Sequence, residues 1–143
     1  MASLVYGITL KQLQNKHACE PQVDLFKKLF GESATFTAEQ GQELALEYFD
    51  KFDITWASHN LLTVPARKEC EKTRYSARRK YEKARDSASE EYEKARYSAS
   101  EEYKKAYASA LEEYEKVVAS AWKEYEKAYA VAFVTAYVNQ AAA

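Results

Sequence analysis

The pattern of apolar and polar positions repeats every eleven residues from Ala66 to the C-terminus. Tyrosine holds the fifth place of most repeats, at Tyr81, Tyr92, Tyr103, Tyr114 and Tyr125. Alanine holds the first place, at Ala66, Ala77, Ala88, Ala99, Ala110, Ala121 and Ala132. Such an internal repeat is the first guide to architecture. Eleven residues make three turns at about 3.67 residues per turn, so the pattern predicts a helix with a narrow apolar seam and a right-handed supercoil.

The composition after Pro65 predicts that this helix is long. No glycine and no further proline occurs there, and Ala, Glu, Lys and Arg, which are good helix formers, dominate. A helix that folds back on itself is expected to need a breaker, and this stretch has none. We therefore predict a stem, residues 65–143, that is one long continuous helix. Its seam predicts packing into an oligomeric coiled coil or bundle.

A second apolar stripe in the C-terminal half of the stem widens the seam there, and a wider apolar face suits packing against more than one neighbour. Assembly is therefore expected to begin between Tyr103 and Val138. The predicted self-association residues combine the tyrosine seam with this stripe: Tyr81, Tyr92, Tyr103, Tyr107, Leu111, Tyr114, Val118, Trp122, Tyr125, Tyr129 and Phe133.

Residues 1–64 are predicted to form a small all-helical head. Thr9 precedes a helix over residues 10–17, and a proline-initiated helix runs from Pro21 and is closed by Gly31. Thr37 and Gln40 resemble a capping box for a helix that runs to Phe52. This third helix is expected to place in the core Leu44, Leu46, Tyr48, Phe49 and Phe52. Asp53 or Thr55 can cap a further short helix that ends near Leu62.

Charge is uneven along the chain, although its net value is -1. The basic residues concentrate in residues 67–85, which hold nine basic side chains and three acidic ones. Such a helix can neutralise phosphates without reading sequence. No nucleic-acid-binding motif accompanies it, so nucleic acid is the weaker alternative to a protein partner. The contact candidates are Arg67, Arg74, Arg78, Arg79, Lys80 and Arg85.

Three polar and aromatic residues of the head, Trp56, His59 and Asn60, are candidates for a recognition surface or for packing against the stem. His17 and Cys19 are too few ligands for a closed zinc site, so we assign no metal and no cofactor. Neither a nucleophile with a base nor a pair of catalytic carboxylates can be assembled. The chain is therefore expected not to be an enzyme.

The two cysteines, Cys19 and Cys70, lie in segments of different character and have no metal or redox spacing, which favours a reducing compartment. The N-terminus lacks the basic flank and the apolar run of a signal peptide. No run of about 18 apolar residues occurs, so no membrane span is expected. These features together predict a cytoplasmic protein.

Three sequence features together resemble a set of small uncharacterised proteins of phages and prophage-bearing bacteria. They are HACEPQVDLFKKLFG, FDITWASHNLL and the tandem A-x-x-E-Y-E repeats. The resemblance implies a non-enzymatic accessory role in the host cytoplasm, including inhibition of a host defence complex in the manner of anti-CRISPR proteins. The residues themselves predict a homo-oligomer that presents its head to a protein partner. Non-specific nucleic-acid binding through residues 67–85 is a further alternative.

Overall fold

The computed structural model describes residues 4–97 and 102–142. The predicted, mostly helical fold is confirmed, and a small sheet is added to it. The elements in chain order are β1 (Tyr6–Thr9), α1 (Leu10–Asn15), α2 (Glu20–Phe30), β2 (Ser33–Phe36), α3 (Ala38–Tyr48), α4 (Ile54–Leu61), α5 (Val64–Tyr97) and α6 (Tyr103–Ala142).

Two capping boxes fix the starts of α1 and α3. The Thr9 hydroxyl accepts from the backbone N–H of Gln12 at 3.1 Å, and the Gln12 side chain accepts from the Thr9 N–H at 2.8 Å. Thr37 and Gln40 repeat this exchange at 3.2 and 3.0 Å. Each box satisfies backbone donors that a helix start leaves unpaired. The capping box expected at Thr37 is therefore confirmed.

The other head helices start and stop close to the predicted residues. The Asp53 carboxylate accepts from the backbone N–H of Trp56 at 2.8 Å and caps α4. Gly31 ends α2 with a φ of 72°, in the left-handed region that glycine adopts without steric cost. Two helices end earlier than expected: α1 stops before His17, which has a φ of 58°, and α3 stops at Tyr48 rather than Phe52.

The sequence analysis did not predict the two-stranded sheet of the head. β1 pairs antiparallel with β2, with Tyr6 opposite Phe36 and Thr9 opposite Ser33. Along β2 the side chains alternate, because Ala34 and Phe36 are buried while their neighbours are exposed. This alternation is the period of two that a half-buried strand requires.

The described structure divides into two compact units. The globular unit consists of Met1–Thr73 with Tyr129–Ala143, and the hairpin unit is Arg74–Ala128. This division differs from the predicted one at residues 64 and 65. Residues from Tyr129 onward belong with the head instead of forming the far end of a stem.

The prediction of one continuous helix is wrong. α5 ends at Tyr97 and α6 begins at Tyr103. In the hairpin unit the Tyr81 ring lies 5.3 Å from that of Trp122, and the Tyr92 ring lies 5.6 Å from that of Tyr107. Residue numbers therefore rise along one helix and fall along the other, so the two helices are antiparallel. Ala99 and residues 98, 100 and 101 lie outside the described residues.

The hairpin forms because packing the apolar seam against a second helix stabilises the chain more than continuing a single unpaired helix would. Most helix stability in proteins comes from packing an apolar face rather than from intrinsic propensity. The second half of the repeat carries the same alanines and tyrosines as the first half, so it offers a matching surface within the chain. The absence of glycine and proline lowers the tendency to break a helix, but it does not prevent a break.

Two groups of buried side chains form the core of the globular unit. One lies between the sheet, α1 and α2 and includes Leu10, Phe26 and Phe36. The other joins the start of α5 to the end of α6. Its buried members are Leu62, Ala66, Cys70, Tyr129, Ala132, Phe133 and Ala136. Leu46, expected in the core, is instead 48% exposed.

Hydrogen bonds fasten the end of α6 within the globular unit. The Gln140 side chain accepts from the backbone N–H of Thr63 at 2.6 Å and donates to the carbonyl of Leu61 at 3.0 Å. The Tyr137 hydroxyl donates to the carbonyl of Gly7 at 2.8 Å. These bonds connect the end of α6 to backbone groups at the junction of α4 and α5 and in β1.

We expect Gly41→Ala to lower the free energy of unfolding by about 1–3 kcal/mol, as overpacking does in a filled core. An alanine Cβ at residue 41 would lie 2.8 Å from the ring of Phe36 and 2.9 Å from a methyl group of Val134. Alanine is intrinsically the better helix residue by about 0.5–1 kcal/mol, so the loss has the opposite sign to the propensity effect. Urea denaturation followed by circular dichroism measures the difference.

Gly7→Ala is the matched control for this substitution. A Cβ there would meet its nearest neighbour, the Ala34 carbonyl oxygen, at 3.5 Å, which is an ordinary contact. The control should therefore change stability less than Gly41→Ala. An unchanged or raised stability of Gly41→Ala would show that α3 does not pack closely against α6.

Candidate functional site

Aromatic rings line the seam between α5 and α6 in the hairpin unit. Tyr81 contacts Trp122 and Tyr125, with ring centroids 5.3 and 6.3 Å apart. Tyr92 contacts Tyr107 and Tyr114 at 5.6 and 5.8 Å. These separations are within the range of favourable aromatic pairs. The repeat therefore packs against itself inside one chain.

Alanines at the first place of the repeat lie in the same seam. Ala77 and Ala88 on α5 are buried, each 8% exposed, and Ala110 and Ala121 on α6 are half-buried. Small residues at these positions let the two backbones approach closely enough for the tyrosines to cover them. The sequence identified the correct seam residues, although it did not identify the correct partner.

Three of the predicted self-association residues are core residues of their own chain. Tyr125, Tyr129 and Phe133 are buried, and the last two belong to the core of the globular unit. Side chains enclosed in this way have no surface left for another copy. Tyr103 packs on Tyr107 at 5.7 Å. The other predicted self-association residues lie in the hairpin unit and keep part of their surface.

The second apolar stripe remains accessible in the hairpin unit. We define the α6 stripe as Tyr107, Leu111, Val118 and Trp122, which share one side of the helix. The first three are half-buried, whereas Trp122 is 45% exposed although its ring contacts Tyr81. A large, partly exposed aromatic side chain therefore lies beside half-buried apolar neighbours on this side of α6.

The position of Tyr92 in the seam between α5 and α6 changes the pKa of its hydroxyl. A hydrogen bond with Tyr107, followed by desolvation, raises the pKa of Tyr92 to about 12. Both effects favour the neutral phenol over the phenolate. The pair therefore marks a contact between α5 and α6 that can be followed spectroscopically.

The basic segment of α5 contains both paired and unpaired side chains. Within the hairpin unit, Arg78 pairs with Glu82 at 2.9 Å, and Arg85 pairs with Asp86 at 2.8 Å. The Arg74 Nε donates to the Tyr125 hydroxyl at 3.0 Å, so Arg74 contributes to the seam. Within residues 74–85, all of which the structure describes, the exposed basic side chains without an ion pair are Arg79, Lys80 and Lys83.

The segment also extends into the globular unit. Arg67 is half-buried there. Lys72 forms an ion pair with Glu69 at 2.6 Å. Exposed pairs of this kind contribute at most about 1 kcal/mol each. Of the six contact candidates, Arg79 and Lys80 thus remain both exposed and unpaired, whereas Arg74, Arg78 and Arg85 have partners.

The three candidate surface residues of the head separate into different roles. Trp56 packs against the core, and its carbonyl accepts from the Asn60 side chain at 2.8 Å. His59 is exposed, and its Nδ1 lies 2.8 Å from the Thr55 carbonyl, to which the Nδ1–H tautomer donates. Of the three, only His59 is exposed.

A buried polar pair lies next to these residues, and no sequence pattern predicts it. The Ser58 side chain is fully buried, and its hydroxyl lies 3.0 Å from that of Tyr129 and donates to the Thr55 carbonyl at 2.9 Å. A buried hydroxyl with such partners cannot reach a substrate. The pair therefore joins α4 to α6.

The globular unit also contains an apolar cavity of about 140 Å³ that is partly open to solvent. Aromatic rings form part of its wall, and alanines and a glycine form much of the rest. Both strands and the helices α1 to α4 contribute to this wall, and α6 contributes Ala130, Phe133 and Val134. The sequence analysis assigned Leu44, Tyr48 and Phe52 of this wall to the core and did not indicate a cavity.

Comparisons with family models, with curated proteins and with solved structures give no match for this chain. Over residues 4–97 and 102–142, no helix combines the length and the apolar character needed to cross a bilayer. In the same described ranges, no three His, Cys, Asp or Glu side chains are grouped so that they could hold a metal ion.

We expect Tyr107→Phe to lower the pKa of Tyr92 from about 12 towards 10, because the substitution removes the hydrogen bond that raises it. The raised pKa of the folded state also has a consequence for stability. Its contribution is fully present below about pH 10 and is lost as the pH rises towards 12. An NMR titration of ring-labelled tyrosine, with the Tyr92 signal assigned by its loss in Tyr92→Phe, measures the pKa.

Tyr97→Phe serves as the control, because Tyr97 is an exposed tyrosine of α5 away from this pair. It should leave the titration of Tyr92 unchanged. A Tyr92 pKa that stays near 12 in Tyr107→Phe would mean that the two hydroxyls are not hydrogen-bonded and that the helices are paired differently.

Proposed function

We propose that this chain is a non-enzymatic interaction protein whose hairpin unit associates with that of a second copy through the α6 stripe. The assembly presents its globular units to a protein partner. The observation that supports this best is the exposure of Trp122, 45%, beside the half-buried Leu111 and Val118. Large apolar side chains grouped on a surface mark interaction sites in soluble proteins.

The geometry of a two-helix unit supports a second copy as the occupant. Each helix of such a pair is covered by its partner along one line, so a broader stripe keeps a flank exposed to water. Placing two hairpins together gives each helix a second neighbour, as in four-helix bundles. The stripe is present on every copy of the chain, which permits the self-complementary contact of a symmetric dimer.

The resemblance to phage and prophage proteins supports a more specific form of this proposal. A small protein that assembles and presents a head can act as an accessory factor by occupying the surface of a host protein complex. Inhibition of a host defence complex, in the manner of anti-CRISPR proteins, is the alternative within this class. In either form the host cytoplasm is the proposed location.

We expect the double variant Leu111→Ala and Trp122→Ala to weaken self-association by about tenfold or more, because central aromatic and aliphatic anchors dominate binding energy at interfaces. The wild-type chain of 16.4 kDa should sediment as a dimer or a larger assembly. Analytical ultracentrifugation over a concentration series measures the dissociation constant. Far-ultraviolet circular dichroism verifies that the double variant keeps its helix content.

Tyr75→Ala is the matched control. Tyr75 lies on the hairpin unit, is 63% exposed and is outside the α6 stripe. Its removal should leave the assembly mass unchanged. A monomeric wild-type chain across the whole series would refute the proposal, and equal effects of the double variant and the control would show that the stripe has no special role.

Binding of nucleic acid is a second candidate function, favoured by the exposed and unpaired Arg79, Lys80 and Lys83 on one segment of α5. If these cations bind phosphates, replacing all three by glutamine should reduce the slope of log affinity against log salt by about 1 for each phosphate interaction removed. Fluorescence anisotropy with a random-sequence duplex measures this slope. Lys116→Gln, which removes a lysine paired with Glu112 at 2.7 Å, is the control. No binding by the wild type at low salt would exclude this function.

A further inference from the structure

We propose that the apolar cavity of the globular unit is a binding site for a small uncharged molecule with an apolar ring or a short branched alkyl group. This inference is independent of self-association through the hairpin unit. It depends on the size of the cavity, on the chemistry of its wall and on the hydrogen-bond partners of its few polar side chains.

The shape of the cavity follows from where small and large residues fall on the surrounding helices. Ala45 on α3 and Ala57 on α4 reach only a short way into the space between the elements. Phe30, Phe52 and Trp56 form broad walls around it. The rings set the distance between the helices, and the alanines leave the volume between them unfilled.

Two of the three polar side chains at the wall, those of Gln22 and Asp53, have hydrogen-bond partners in the protein. The Gln22 side chain donates to the Lys51 carbonyl at 3.1 Å and accepts from the Asp53 backbone N–H at 2.8 Å. The Asp53 carboxylate caps α4 through the Trp56 N–H. The adjacent Glu47 carboxylate raises the pKa of the Tyr48 hydroxyl, which favours the neutral phenol. The cavity therefore offers a ligand contact area and does not require hydrogen-bonding groups from it.

The same arrangement disfavours water as the occupant. An ordered water needs about two to four polar partners, which this wall does not offer, and an enclosed apolar cavity of about 150 Å³ in another protein stays dry and binds benzene or xenon. The cavity here is of similar size, about 140 Å³. A single six-membered ring with one small substituent fits such a volume, and a long acyl chain does not. These considerations define the ligand class.

Occupation of the cavity should stabilise the globular unit as a whole. The wall combines Ile8 and Leu13 of β1 and α1 with Phe133 and Val134 of α6. A ligand between them contacts segments that are far apart in the sequence and is released when they separate. Binding to the folded state alone raises the unfolding temperature as ligand concentration rises.

The test uses toluene as the probe and the full-length protein. Titration followed by NMR should show saturable shifts and intermolecular Overhauser effects from the toluene ring to methyl groups of Leu44, Ile54 and Val134, which line the cavity. The unfolding temperature should rise with toluene concentration. Benzoate, which has a similar ring but carries a charge, should bind at least about tenfold more weakly, because burying an unpaired carboxylate is costly.

Two leucine substitutions on α3, one inside the cavity and one outside it, test whether toluene occupies this space. Ala45→Leu places a larger side chain into the space and should weaken toluene binding by about tenfold or more while raising or preserving the unfolding temperature. Gln42→Leu introduces the same side chain at an exposed position of α3 and should keep the wild-type affinity. If Ala45→Leu loses its helix signal, the Overhauser effects in the wild type decide the question alone.

Any of three results would overturn the proposal, and the first two concern toluene alone. One is the absence of Overhauser effects to the cavity methyl groups in wild-type protein saturated with toluene. The other is a folded Ala45→Leu variant that binds toluene as tightly as wild type. Either would show that the residues around the cavity close on themselves in solution. Equal affinity for benzoate and toluene would also contradict an apolar site.

Discussion

The globular unit depends on the packing of the end of α6 against the start of α5. Tyr129, Phe133 and Ala136 fill one side of a core whose other side includes Ala66 and Cys70, the latter 1% exposed. A head of some 70 residues buries only a modest part of its surface by itself, so this added face provides a large share of its core. The sheet, the capped helices and the cavity wall are all held against a surface that a distant segment of the sequence supplies.

The eleven-residue repeat lets both long helices pack closely in the same way. Alanine lets the backbones approach, and tyrosine covers the space beside it with a ring whose hydroxyl can reach a polar partner. Tyr125 shows both functions, because its ring packs on Tyr81 while its hydroxyl accepts from Arg74 at 3.0 Å. In an antiparallel pair, one repeated sequence can supply both surfaces of the seam.

The parts of the fold that could be predicted are those encoded by neighbouring residues. Thr9, Thr37, Gly31 and Asp53 act within a few positions along the chain, so their roles follow from sequence alone. β1 and β2 have four residues each, and more than twenty residues separate them in the sequence. No pattern of neighbouring residues therefore indicates that they pair. The seam could also be predicted, because the periodicity of the repeat shows which face of the helix is apolar. Periodicity does not show whether the helix that covers this face belongs to the same chain. The pairing of Ser58 with Tyr129 and the cavity likewise depend on contacts between distant segments.

The order of the units along the chain has a consequence for synthesis. The globular unit is completed by residues from 129 onward, so a ribosome that has just made residues 1–73 has not yet supplied the surface on which they pack. The intervening hairpin can form from neighbouring repeats, whereas the core of the globular unit requires contacts of much greater sequence separation, which form slowly. Final closure of the head therefore waits until α6 has left the ribosome, and for that interval the nascent protein exposes the apolar residues that the C-terminal turns of α6 later cover.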